Sequence, residues 1–437
     1  MTTATHSELE LEAIRICREL IRIPSVNFGD GKGDEKDVAA HVAKLLNEVG
    51  IETKTYESAL GRCNVIARIQ GSNPNRPGLV VHGHLDVVPA NAADWSVDPF
   101  AAEIKDGFIW GRGAVDMKNM DAMIIATVRD WARTGYVPER DIVLAFFADE
   151  EAGSAFGSHY MVKNHPEVFA GCTEAVSEVG GFSVTVAGGK RLYLIETAEK
   201  GIHWMRLTAD GRAGHGSMMN EENAVTRLAE AVAKIGQYEW PQRYSATVKA
   251  FFKRIADATG KPYDEKDLRP LLSEIGFAST MIGATLQNTA NPTMLDAGYK
   301  ANVIPGSASA VIDGRFIPGF EDELNQTIKA LIGEHVKVET ITRDKALEVP
   351  FEGDLVEAMC NALIKEDAVA IPVPYVMSGG TDNKALADLG IIGYGFSPLK
   401  LDADFNFMAM FHGVDERVPL EGLTFGVRVL KEFLENV

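Results

Sequence analysis

Apolar positions first recur at helical spacing over residues 7–22, at Leu9, Ala13, Ile16, Cys17, Leu20 and Ile21. Ser7 and Glu10 stand where a capping box would open that helix, and Ile23-Pro24-Ser25 ends it. A second run predicts a helix over 35–49, with Val38, Ala39, Val42, Leu45 and Leu46 on one face and a stop at Gly50. The period then falls to two. Residues 52–57 and 64–70 alternate as half-buried strands, and Leu79, Val80 and Val81 follow Pro77-Gly78 as a buried strand. Asp106-Gly107 marks a hairpin turn, and a helix is predicted over 118–134. Ile142 to Phe147 carries the strongest strand signal, before a helix over 155–164 and a short strand from Ala175 to Ser177. Strands and helices alternate through residue 200, which predicts an α/β fold with a mostly parallel sheet flanked by helices.

The pattern changes near Glu199-Lys200-Gly201. A strand from His203 to Thr208, a helix from Asn223 to Ile235, strands from Met294 to Val303 and Ser309 to Phe316, a helix from Glu321 to Ile332 and a strand from Val336 to Arg343 follow. That β-α-β-β-α-β order describes a ferredoxin-like α+β unit. A polar, aromatic insertion over about 239–280 interrupts it, and its structure is not readable from the pattern. Sheet-type sequence resumes at Glu348-Val349-Pro350, with helices over 354–365 and 421–436 and another opened by Ser378-Gly379-Gly380-Thr381-Asp382. One domain is therefore expected inside another: 1–198 and 346–437 form the first, and 199–345 the inserted one.

Composition narrows the function. With 437 residues, 46% hydrophobic and 24% charged, the chain reads as a globular protein of more than one core. A net charge of −19 argues against nucleic acid or an anionic membrane as partner. Cys17, Cys63, Cys172 and Cys360 lie far apart and read as free thiols in a reducing compartment. No signal-like segment opens the sequence, and no apolar run approaches the ~20 residues of a membrane span, so a cytoplasmic location is expected.

Candidate chemistry gathers at strand ends, where α/β sheets bind ligands. His84, Glu150, Glu151 and Glu178 each follow a predicted strand, and Asp116 lies between a hairpin and a helix. Taken singly, each has a plain structural explanation. Asp116 suits an N-cap, Glu150-Glu151 a helix dipole, Glu178 a turn before Gly180-Gly181, and His412 an aromatic core loop with Phe405, Phe407 and Phe411. Together, His84, Asp116, Glu151, Glu178 and His412 are a ligand set for two divalent ions, provided one carboxylate bridges; zinc, manganese or cobalt would suit. Glu150, adjacent to a ligand, is placed to move a proton.

At these residues the chain resembles the di-zinc amidohydrolases that include aminoacylase, carnosinase and other dipeptidases, glutamate carboxypeptidases, acetylornithine deacetylase and succinyl-diaminopimelate desuccinylase. The anchors are His84-Leu85-Asp86, Gly111-Arg112-Gly113-Ala114-Val115-Asp116-Met117-Lys118, Asp149-Glu150-Glu151, Gly380-Thr381-Asp382 and the late His412. The resemblance implies two divalent metal ions, with zinc first. Asp116 would bridge them, His84 and Glu178 would complete one shell, and Glu151 and His412 the other. Asp86 would hold His84, and Glu150 would be general base and then acid. A cis peptide bond is expected after Asp116. The inserted domain would be a lid and homodimer interface, from which His215, in Gly214-His215-Gly216-Ser217, would reach the partner subunit's oxyanion. Asn302 and Arg315 would contact the substrate, and Arg315, Gly380 and Thr381 would suit its carboxylate.

Two departures stand out. Lys384 occupies a place where relatives often carry arginine, and Ser217-Met218-Met219 one where they often carry proline. His82, two residues before His84, falls outside the motif and reads as packing or support. The expected activity is hydrolysis of an amide bond in a small carboxylate-bearing substrate, of dipeptidase or carboxypeptidase type. N-acyl-amino-acid deacylase is the near alternative, and a catalytically silent binding protein the remote one.

Overall fold

The capping box forms as the sequence predicts: Ser7 and Glu10 open the helix Glu8–Ile21 in the computed structural model, which describes residues 6–29 and 31–437. That helix packs with Lys36–Asn47, Lys118–Thr134 and Leu420–Leu434 against one face of a ten-stranded sheet. Leu79, Val81, Leu144 and Phe146 point to this face. Val80, Val143 and Phe147 point to the other, where Met161 and Leu386 from the helices Ser158–Asn164 and Asn383–Leu386 cover them. Burial on both faces explains why the central strands read as unbroken apolar runs.

The sheet is parallel at its centre, through Ile142–Phe147, Gly78–His84, Cys172–Ser177 and Ile392–Gly395. Its flanks are antiparallel: Thr53–Ala59 with Arg62–Ile69 on one side, and Phe182–Thr185 and Leu347–Glu348 against Arg191–Glu199 on the other. The strand Arg191–Glu199 was not legible as a strand, because its fully buried span contains Glu196, Thr197 and Glu199. Ala370–Met377 pairs parallel with it.

Gly201–Asp210, Thr289–Ala297, Ser307–Phe316 and Val336–Asp344 form a separate antiparallel sheet, in the order second, third, first, fourth. With helices Ala224–Gly236 and Glu321–Ile332 on one face, this is the ferredoxin-like arrangement. Its second strand runs earlier than the pattern predicts, because Gly298 turns the chain with φ +76°. The chain leaves the large sheet at Lys200 and returns to it through Lys345 and Ala346.

The insertion is helical. Ala246–Thr259, Arg269–Leu272 and Ser279–Ala284 are α-helices, and Ser273–Ala278 is a 3-10 segment. Although they interrupt the ferredoxin-like sequence, they bury Phe251, Phe252, Ile255, Leu271 and Ile275 in the core of the large sheet, not in that of the small one. No helix of the described residues is long and apolar enough to cross a membrane.

Candidate metal centre

Three strand ends and two loops converge at the carboxyl edge of the large sheet. His84 is the last residue of Gly78–His84, Glu178 follows Cys172–Ser177, and Glu150 and Glu151 sit on a 3-10 turn after Ile142–Phe147. That turn delays the next helix to Ser158, later than predicted, since Asp149 and Gly153 both take left-handed backbone. Asp116 precedes the helix Lys118–Thr134, and the Asp116–Met117 peptide bond is cis. His412 comes from a loop after the 3-10 segment Phe407–Ala409.

Asp116 divides its two oxygens between two groups. Its Oδ1 lies 3.1 Å from His84 Nε2, which is also 3.6 Å from Glu178 Oε2. Its Oδ2 lies 3.3 Å from His412 Nε2, which is 3.0 Å from Glu151 Oε2. His84, Asp116 and Glu178 thus form one potential ion site, and Asp116, Glu151 and His412 the other. The donor set fits zinc or a similar divalent ion in each: imidazole and carboxylate, one carboxylate shared, and a buried Glu151 Oε1 with no partner among the described residues.

The electrostatics fit as well. Burial pushes Glu178 up to about 8, against the pull of His84. Burial, and then Glu178, raise Glu150 well above the usual carboxylate range. Burial and Asp116 raise Glu151. Asp116 alone is held low: burial opposes ionisation, but hydrogen bonds from His412 and His84 outweigh it. His412 is raised to about 10 by its bonds to Asp116 and Glu151. Divalent cations would stabilise the ionised form of every carboxylate in this group.

Support comes from residues that hold the ligands and the loops that carry them. Asp86 orients His84 through its backbone carbonyl, 3.0 Å from Nδ1, while its carboxylate Oδ1 stands 3.6 Å away. That carboxylate also accepts the backbone N–H groups of Glu150 and Glu151, each at 3.1 Å, and so shapes the turn that carries them. Asn27 donates to both Asp86 and Asp149, and the Arg62 guanidinium bridges Glu35 and Asp149. Glu416, fully buried, accepts from Arg112 and from the backbone of Gly113, Val115 and Asp116. Sequence reasoning passed over it; the available signal was Arg112 between two glycines, a cation that needs an acid if the loop is buried. The His82 imidazole meets Asn383 Oδ1, 2.9 Å away, and its carbonyl accepts from the Ser177 hydroxyl.

A cavity of about 650 Å³ opens over both groups. Arg315, Gly380 and Thr381 line it. Thr381 spends its backbone N–H and its hydroxyl on Glu199, at 3.0 and 2.6 Å, so neither is free for a substrate carboxylate. Arg315 directs Nε and Nη2 onto Asp313. Lys384 is buried, and its ammonium donates to the backbone carbonyls of Lys200 and Lys345, at 2.6 and 2.9 Å. His215 and Asn302 do not line this cavity. They lie together where the strand Gly214–His215 pairs with Val303–Ile304, and the Asn302 carbonyl accepts from Gly216.

Comparison with known proteins adds the family. The model of peptidase family M20/M25/M40 matches residues 80–436. The chain is 26% identical over 446 residues to the N-fatty-acyl-amino acid synthase/hydrolase of Xenopus tropicalis, covering 97% of this chain and 86% of that one. It is 26% identical to aminoacylase-1 of Sus scrofa, covering 98% and 95%. Its fold superposes on the M20 family metallo-carboxypeptidase Sso-CP2 of Sulfolobus solfataricus with a TM-score of 0.73 at 18% identity, covering 97% and 99%. With its paired ligand groups, its α/β sheet and its second, ferredoxin-like sheet, the chain belongs to peptidase family M20/M25/M40 and is a metal-dependent amidohydrolase.

Proposed function

We propose that the protein hydrolyses N-acyl amino acids to a carboxylate and a free amino acid. The observation that carries this reading is the cavity itself: the two ligand groups form a polar floor, while Phe277, Met281, Met377, Met408 and Phe411 make much of the remaining wall apolar. An acyl chain fits such a wall better than the charged N-terminus of a dipeptide, because burying an unpaired ammonium there is costly. The names of the N-fatty-acyl-amino acid hydrolase and aminoacylase relatives support the same choice. The dipeptidase reading, first at the level of sequence, becomes the second.

Bound in the two groups, divalent ions supply a polarised carbonyl and a water of lowered pKa. His84, Asp116, Glu178, Glu151 and His412 are the proposed ligands. Glu150 takes the proton of the attacking water as the C–O bond forms, and returns it to the leaving nitrogen as the C–N bond then breaks. Arg315 and the Gly380 backbone stand closest to the role of carboxylate recognition. His215, remote from its own chain's cavity, is assigned to the cavity of a second subunit in a homodimer.

One panel tests the reading. N-acyl amino acids and dipeptides are incubated with the protein before chelation, after chelation, and after return of zinc, manganese or cobalt. Turnover of acyl amino acids should dominate, vanish with the metal and return with it. Dipeptide-only turnover, or activity indifferent to chelation, defeats the proposal. Glu150→Gln should keep its metal content while losing about 10²–10⁴-fold in kcat.

A further inference from the structure

The helical insertion is placed where it can choose the substrate. Ile275, Ala278 and Ile282 anchor it in the core of the large sheet, and Gly276, at φ +51°, turns the chain between them. That anchoring leaves Phe277 and Met281 half-buried, on the cavity side. The segment Ser273–Ala278 packs against Phe407–Ala409, so Phe277 and Met281 stand near Met408 and Phe411. Met408 and Phe411 belong to the loop that ends in His412, which ties the apolar wall directly to the ligand group. None of these four side chains carries a charge or a hydrogen-bond donor. Methionine is unbranched and polarisable, and it adapts to a flexible apolar partner instead of imposing one shape. A cavity of about 650 Å³ also holds far more than an acetyl group.

We infer that Phe277 and Met281, with Met408 and Phe411, form an acyl-chain subsite, and that the insertion selects substrates with a medium or long unbranched apolar acyl chain over acetylated ones. The inference rests on the acyl-amino-acid reading above and specifies its substrate class. It also assigns the part of the sequence that interrupts the ferredoxin-like unit to substrate choice in the large-sheet domain.

The test uses one amino acid carrying acetyl, hexanoyl, decanoyl or tetradecanoyl groups. In the wild type, kcat/KM should rise with chain length, by up to about fourfold for each methylene that the wall buries. In Phe277→Ala/Met281→Ala the decanoyl-to-acetyl ratio should fall by at least about tenfold. Met281→Gln, close in size and milder for folding, should lower the same ratio. A ratio at or below one in the wild type, or unmoved in both variants, overturns the inference. Calorimetry of the same acyl series on metal-loaded Glu150→Gln separates the subsite from the reaction. Chain-length-dependent binding without turnover of any acyl amino acid would sink the proposed reaction and leave the subsite standing. Turnover with binding indifferent to chain length would do the reverse.

Discussion

Glu416 touches no ligand atom of the metal centre, yet the Asp116 loop is built on it. Burial pushes its carboxyl up to about 7, with Arg112 pulling the other way, while three backbone N–H groups and the Arg112 guanidinium surround it. Glu416→Gln keeps the size but removes the charge that balances Arg112. Metal affinity should drop about 10–100-fold, as for other supports of metal ligands. Metal titration of the stripped variant checks this, and wild-type affinity would show that the loop holds itself. The contrast with His84 explains what was legible at this scale. A histidine or carboxylate at a strand end announces itself by type and position. The tasks of Glu416, Asn27 and the Asp86 carboxylate depend on which partners they meet across 59 to 303 residues of sequence, backbone N–H groups for the two acids and carboxylates for Asn27, and no local pattern encodes that. The bond from the Thr381 hydroxyl to Glu199 was illegible for the same reason, since the two lie 182 residues apart.

Elements were legible where one face is apolar and the other polar. The helix Glu321–Ile332 falls on the residues predicted for it. They were illegible where buried charges break the pattern, as in Arg191–Glu199, or where the partner of an apolar face lies in another unit, as for the insertion. Arg191–Glu199 is also tied to its neighbours by charge. Asp367, just past the helix Asp354–Glu366, accepts from Arg191 and from Tyr193 at the start of the strand. Burial alone would raise the Asp367 carboxyl, but the Arg191 and Tyr193 hydrogen bonds prevail and hold it at about 2. A folded value below the unfolded one, about 3.9, gives stability that is present above the unfolded value and lost as pH falls through the folded one. The wild-type Tm should therefore fall between about pH 4 and pH 2, with part of that fall absent in Asp367→Asn. Parallel acid limbs in the two proteins would remove Asp367 from the account.

At the scale of the whole molecule, the proposed homodimer turns on His215. It is exposed, its imidazole bonded only to Ser217 among the described residues, and it stands outside the cavity of its own chain. On the small sheet, Met294, Leu295 and Val338 are exposed apolar side chains, a surface of the kind subunits cover. If a partner supplies His215, then His215→Ala and Glu150→Gln should each be inactive alone. Mixed in equal amounts after subunit exchange, they should regain about a quarter of wild-type activity, because half the dimers then hold one intact site. Activity that stays absent in the mixture, with exchange verified by mass, would return His215 to the surface of the lid. The sequence predicted the two-sheet architecture through its change of period near Lys200, but it could not show what joins the two sheets. Both passages of the chain between them, at Lys200 and Lys345, give a carbonyl to the single ammonium of Lys384. One buried cation thus serves both crossings: removing it, as in Lys384→Met, would strip a donor from two backbone carbonyls at the same seam, so the two passages should loosen together and not one by one.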